Sequence, residues 1–376
     1  MSSRIKSARL QDHFSELTDP RRRKVTYPLI NLVMIAICAV LCGADDFVSI
    51  AEFGRTKKKW LSRFLDLSAG IPSHDRFNAI LAAIQPAEFE KCLLSWITAL
   101  HEITSGQIVA LDGKTLRRSF DAASGKSAIH LVSAWATANH ISLGQVVVDQ
   151  KSNEITALPK LLEMLEIAGS LVTIDAIGCQ TEIAQAILAR KADYLLAVKG
   201  NQPTLHQGLV DYFADHMEDD FARTKVSQHV TEERGHGRLE KRTYYVCAVP
   251  KDLPSRQRWP KLKAIGVTFS ETMRGDKPCH EARFYILSKK LSAQRFGKAV
   301  RSHWSIENRL HWQLDVTFQE DQSRIRLGHA NTNFSILRRT ALSLLKNNHT
   351  AKVGIKNKRL IAGWNETYLL ELLLGT

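Results

Sequence analysis

Two short apolar runs in this chain each stop at an aspartate: Ile108-Val109-Ala110-Leu111 before Asp112, and Leu171-Val172-Thr173-Ile174 before Asp175. Runs this short, rich in β-branched residues and bounded by turn signals, read as strands buried on both faces. A carboxylate just past such a strand can leave the sheet edge without carrying its charge into the core. Between the two runs lie His130 to Ala138 and Gln145 to Val148, broken by Asn139-His140 and Gly144, which read as a meander. Ile155 to Ile167 and Glu182 to Ala192 carry helical spacing, and Tyr194 to Val198 is another buried strand. The order is βββαβαβ, an α/β core with a mixed sheet.

The flanks differ. Leu29 to Cys42, Phe47 to Phe53, Lys59 to Leu67 and Ala87 to His101 repeat apolar residues at three and four, predicting an N-terminal helical domain over residues 1–105. The first part of the core then covers 106–204. From 205 to 288 the acidic cluster Glu218-Asp219-Asp220 and three β-like segments, Tyr244 to Val249, Ala264 to Phe269 and Ala282 to Leu287, read as a β-rich insertion with its own sheet. Residues 289–376 turn helical again, over Ala293 to about Leu314 and Asn333 to Lys346, and are expected to complete the core.

Composition narrows the class. A 376-residue chain with 44% hydrophobic residues has a sizeable core, and its six cysteines contain no Cys-x-x-Cys pair or disulfide framework. A reducing cytoplasm fits. The apolar run Leu29 to Cys42 contains Asn31 and falls short of the roughly 20 residues a bilayer requires; Asp12, Glu16 and Asp19 precede the basic Arg21 to Lys24, unlike a signal peptide. No membrane partner is expected. The net charge of +14 implies a polyanion, and residues 289–364 carry fifteen Lys and Arg against four acids. Interleaved with Trp304, Trp312 and Phe318, that stretch suits a phosphate backbone.

If the first and fourth strands are neighbours, Asp112 and Asp175 face each other, and a divalent cation with a taste for oxygen would relieve their repulsion. Each aspartate also admits a local explanation: Asp112 as the start of an Asp-Gly turn, Asp175 as the cap of the next helix. On the helical run Arg301 to Trp312, His303, Glu307 and His311 fall on one stripe at a spacing of four. A zinc site there is disfavoured, because such steps on one straight helix do not converge on a tetrahedral ion.

Together, Leu111-Asp112-Gly113-Lys114-Thr115, Ile174-Asp175-Ala176 and His303-Trp304-Ser305-Ile306-Glu307-Asn308-Arg309-Leu310-His311-Trp312 resemble the acidic signatures of bacterial insertion-sequence DDE transposases, in the H-repeat-associated branch. Tyr27-Pro28-Leu29, Gly43-Ala44-Asp45, Val198 to Gln202 and Arg234 to Arg238 match that branch too, so the resemblance covers nearly the whole chain. It implies an RNase H-like core, a metal-binding triad of Asp112, Asp175 and Glu307 holding two divalent ions (Mg²⁺ or Mn²⁺), and cleavage and strand transfer at the element's ends. Where many relatives carry Tyr, Arg and Lys around the glutamate, this chain has Val300, His303 and Leu314.

DNA contacts are expected from Lys114 and Arg117 just beyond Asp112, from Lys199 near the end of the last core strand, and from His303, Arg309 and His311 around Glu307. The expected partners are double-stranded DNA at terminal repeats and at the target, with a homodimer in the synaptic complex. The expected location is the cytoplasm, at the nucleoid when DNA is bound. The alternatives are an inactive, domesticated or decaying DNA-binding remnant, and a different metal nuclease or phosphatase on a similar core.

Overall fold

The computed structural model describes residues 10–22, 25–100, 107–116, 128–148, 153–235, 238–274 and 277–375. The chain forms two compact units, one built from Met1–Ile103, Gly113–Gln150 and Glu307–Thr376, the other from Thr104–Asp112 and Lys151–Ile306. Strand β1, Ile108–Leu116, passes from the second into the first after Asp112.

In the second unit β1 pairs in parallel with β4, Leu171–Ile174, and β4 in parallel with β5, Asp193–Val198. Parallel neighbours need a crossover. The helix Thr181–Ala189 supplies it between β4 and β5, burying Ile183, Ala184 and Ile187. The helix Glu154–Met164, which precedes β4, buries Ala157, Leu158, Leu161 and Leu162 on one stripe. It ends earlier than its apolar pattern predicts, because Leu165 turns extended and Ile167 is buried on the way into β4.

The region expected to form a sheet of its own extends the core sheet instead. Four antiparallel strands, β6 (Val226–Gly235), β7 (Arg238–Ala248), β8 (Ala264–Arg274) and β9 (Lys277–Leu287), continue the order as β1-β4-β5-β9-β8-β7-β6. The join is antiparallel, Leu195 opposite Leu287 through Val198 opposite Phe284. Buried Tyr194, Leu195 and Leu196 make a bare edge of β5 costly, and β9 satisfies its backbone groups. Strand β6 has no sequence signature, since Ser227, Gln228, Thr231, Glu232 and Glu233 are polar; its conformation comes from its ladder with β7. The helix Pro203–Glu218, also absent from the expectation, starts with proline in its first turn.

Helix Ala293–Ile306 lies on this sheet through Ala293, Phe296, Ala299, Val300 and His303. The fit depends on absent side chains. A Cβ at Gly266 would stand 2.7 Å from the Phe296 ring, and one at Gly297 would stand 3.0 Å from Tyr244.

In the first unit, β2 (Ile129–Ala136) and β3 (Ile141–Val148) form the expected hairpin, in the order β3-β2-β1. Helix Leu29–Leu41 is buried from Asn31 onward, and no helix among the described residues is long and apolar enough to cross a membrane. Asp46 and Ser73 cap Phe47–Thr56 and His74–Ala83, each side chain accepting from a backbone N–H three residues on. Helix Ala330–Asn347 is enclosed from Ala330 to Leu345, including Arg338 and Arg339. The Arg301–Trp312 run is α-helical only to Ile306; Glu307–His311 is a π-turn, and Trp312–Val316 is α again.

Gly266→Val is expected to destabilise the protein by about 1–3 kcal/mol through overpacking, although valine suits a strand. Urea unfolding checks this; an unchanged or higher midpoint would show that the Phe296 ring gives way freely.

Candidate active site

The in-register pairing of Leu111 with Ile174 makes Asp112 and Asp175 the next residues on adjacent parallel strands, roughly 5 Å apart in strand spacing. Both are half-buried. Neither local explanation describes them: β1 continues through Asp112-Gly113 to Leu116, and the helix after Asp175 begins at Thr181 with Gln180 at its cap. Asp175 Oδ1 accepts a long bond, 3.4 Å, from the Gly178 backbone N–H. That loop has to be glycine at 178, since a Cβ there would lie 2.3 Å from the Ile174 side chain.

Beside Asp175 opens a cleft of about 70 Å³, whose polar lining comes from Thr173, Lys199, Arg283 and His303, with Trp304 at its side. Lys199 is exposed at the end of β5. Arg283 pairs with Glu281 at 2.7 Å and lies 4.5 Å over the Trp304 ring. Sequence alone does not single out Arg283, because only the antiparallel return of β9 brings it to this strand end. His303 is buried, with its Nδ1 3.2 Å from the Thr173 hydroxyl. Burial pushes its pKa down to about 4, against a smaller upward pull from Asp175. It is thus a neutral tie between helix and strand, not a cationic DNA contact.

Glu307 is exposed and opens the π-turn directly after the last residue of the second unit. The extra residue in that turn disrupts the expected stripe: Glu307 faces solvent, whereas His303 and His311 are buried. Among the described residues no three His, Cys, Asp or Glu side chains converge as a metal cluster, on this run or elsewhere. His311 is held near a pKa of 3 by burial and then by Arg339 and Lys114, so it too is uncharged.

The basic residues divide by burial. Lys114 is buried, with its ammonium on Asp315 and, at 3.0 Å, on Glu320. Arg309 is exposed and donates to His140 Nε2 at 2.8 Å. Arg117 lies outside the described residues. In the basic C-terminal stretch, Arg338, Arg339, Lys358 and Arg359 are interior groups. Lys358 donates to the Leu345 and Asn348 carbonyls, and Arg359 to Val40 O and the Asp45 carboxylate. The charge excess therefore overstates the cations available to a polyanion.

Comparison with known proteins gives the family. The chain belongs to the Transposase DDE domain family, which matches residues 103–344, while a family described as DDE_Tnp_1-associated matches residues 11–97. It is 41% identical to the "Putative transposase YncI" of Escherichia coli O157:H7 over 369 residues, covering 97% of this chain and 94% of that protein. It is 37% identical to the "H repeat-associated putative transposase YhhI" of Escherichia coli K12 over 374 residues, 98% of each. The mixed α/β fold and the H-repeat-associated branch expected from the sequence are the ones found.

The His303 imidazole makes stability depend on pH. Unfolded histidine titrates near 6.5, so on acidification the unfolded chain takes up the proton first. The stability is fully present above that pH and is lost as pH falls toward 4, by up to about 3 kcal/mol. Urea midpoints should fall less steeply between pH 6.5 and 4 in His303→Gln than in wild type; equal slopes would show that the imidazole is not held neutral.

Proposed function

We propose that the chain is a DNA transposase that cleaves and rejoins phosphodiesters at the ends of its own insertion sequence, with Asp112, Asp175 and Glu307 as its catalytic, metal-holding carboxylates. The observation that carries this is the pairing of Leu111 with Ile174, which sets two half-buried carboxylates side by side where β4 ends. Two like charges so placed fit hard divalent cations such as Mg²⁺ or Mn²⁺, which take oxygen ligands. Bound there, two such ions would supply Lewis-acid activation of the attacking oxygen and stabilisation of the leaving one.

The chain's own groups do the rest. Lys199, exposed on the cleft beside Asp175, is placed to hold the scissile phosphate, and Arg283 to add a second donor there. Arg309 remains exposed beside Glu307 for backbone contact. Residues 11–97, matched by a family of their own, would read the element's ends. The substrates are double-stranded DNA at the terminal repeats and at the target, brought together by a homodimer. Such a protein works in the cytoplasm, at the nucleoid when bound.

The test is strand nicking and joining on DNA carrying the gene's flanking repeats, with Mg²⁺ or Mn²⁺. Asp175→Ala should lower cleavage about a thousandfold or more while leaving DNA binding intact, since several kcal/mol of charge stabilisation are lost. Wild-type cutting in the variant would refute the mechanism. Wild type that binds in a steeply salt-dependent way but never cuts would instead mark a decayed remnant.

Mn²⁺ should also raise the Tm of the wild type and not that of Asp112→Asn/Asp175→Asn, because an ion that binds only the folded site stabilises it by mass action. Equal shifts in both would place the ion elsewhere.

A further inference from the structure

We propose that Lys114 is a positioning residue, whose ammonium, gripped by Asp315 and Glu320, fixes the chain that follows Glu307 to the strand that leaves Asp112. The inference rests on the reading of Asp112 and Glu307 as metal-holding carboxylates. Lys114 lies two residues beyond Asp112 on β1, and Asp315 and Glu320 follow Glu307 by eight and thirteen residues. Lys114, Asp315 and Glu320 all belong to the first unit.

Lys114 and Glu320 are both buried, and their 3.0 Å ion pair is joined by Asp315 on the more open side. The anchor runs deeper still: the other Glu320 oxygen accepts from Ser335 Oγ at 2.7 Å, and Ser335 also meets Gln145 and Arg339. Burial alone would raise the Glu320 carboxyl, but Lys114, Arg339 and Arg338 outweigh it and hold its pKa at about 2. A lysine in this position cannot reach out to a phosphate without stranding a buried carboxylate, which is strongly unfavourable. Its part is therefore to hold the chain that follows Glu307.

The experiment uses the full chain, with Lys114→Met and, should that variant fold poorly, Asp315→Asn, which removes only the more exposed arm. Three quantities are compared with wild type: hydrogen exchange over Glu307–Gln322, Mn²⁺-dependent nicking of a duplex carrying the flanking repeats, and the salt dependence of binding to that duplex. Exchange should accelerate about tenfold, nicking should fall about tenfold with a higher Mn²⁺ requirement, and the salt slope should stay unchanged. A slope shallower by about one would make Lys114 a phosphate contact and overturn the proposal. So would unchanged exchange, or nicking at the wild-type Mn²⁺ requirement. If wild type itself does not nick, the transposase reading fails on its own, and the exchange over Glu307–Gln322 still decides for or against the clamp.

Discussion

The parallel pairing of Leu111 with Ile174 determines where two carboxylates emerge, because side chains along a strand alternate between faces and a slip of one residue would turn one aspartate away from the other. The register is held by what lies on either side of it. Val109, Ala110, Leu111, Val172 and Ile174 are buried, so any shift would expose part of this apolar set. Glycine at 178 lets the chain leave β4 tightly after Asp175. The site is thus a by-product of core packing: the same apolar residues that make the sheet stable fix the acids at its rim.

Burial of charge is the second organising constraint. Arg338 and Arg339 lie within a helix enclosed on all sides, among Glu320, Asp45 and Glu90. Glu90 shows how far this goes, since burial raises its carboxyl to about 8 despite the nearby Arg339. Arg338 also lies 4.3 Å over the Phe334 ring, and Arg359 lies 4.2 Å over Phe318. A strongly basic composition therefore reports two different things, cations free for a polyanion and cations buried in the interior, and counting residues does not separate them.

The β-rich segment makes a related point about the cleft. By pairing β9 with β5, it carries Arg283 and Tyr285 to the strand end where Asp175 and Lys199 stand. The helix Ala293–Ile306 packs on the same sheet, with Phe296 over Gly266 of β8, and its His303 meets Thr173 in the lining of the cleft. The insertion is structural support for the site as much as an addition to it.

Much of this was legible in sequence because it depends on local period. Apolar runs ending at Asp112 and Asp175, the helical spacing of the N-terminal residues and the ordered acidic signatures needed no tertiary information. Polar strand β6 was hidden, since only its ladder with β7 makes it a strand. Hidden too was the π-turn at Glu307, which broke a stripe that a straight helix would have kept. The sequence by itself determined the order of the core elements and that Asp175 follows a buried strand, since hydrophobic alternation and chain order are written residue by residue, whereas Asp112 lies inside a strand that runs on to Leu116. Only the tertiary structure decided which cations are free for a polyanion: Lys114 meets partners some two hundred positions away, and burial, not residue type, left it inside and Lys199 outside.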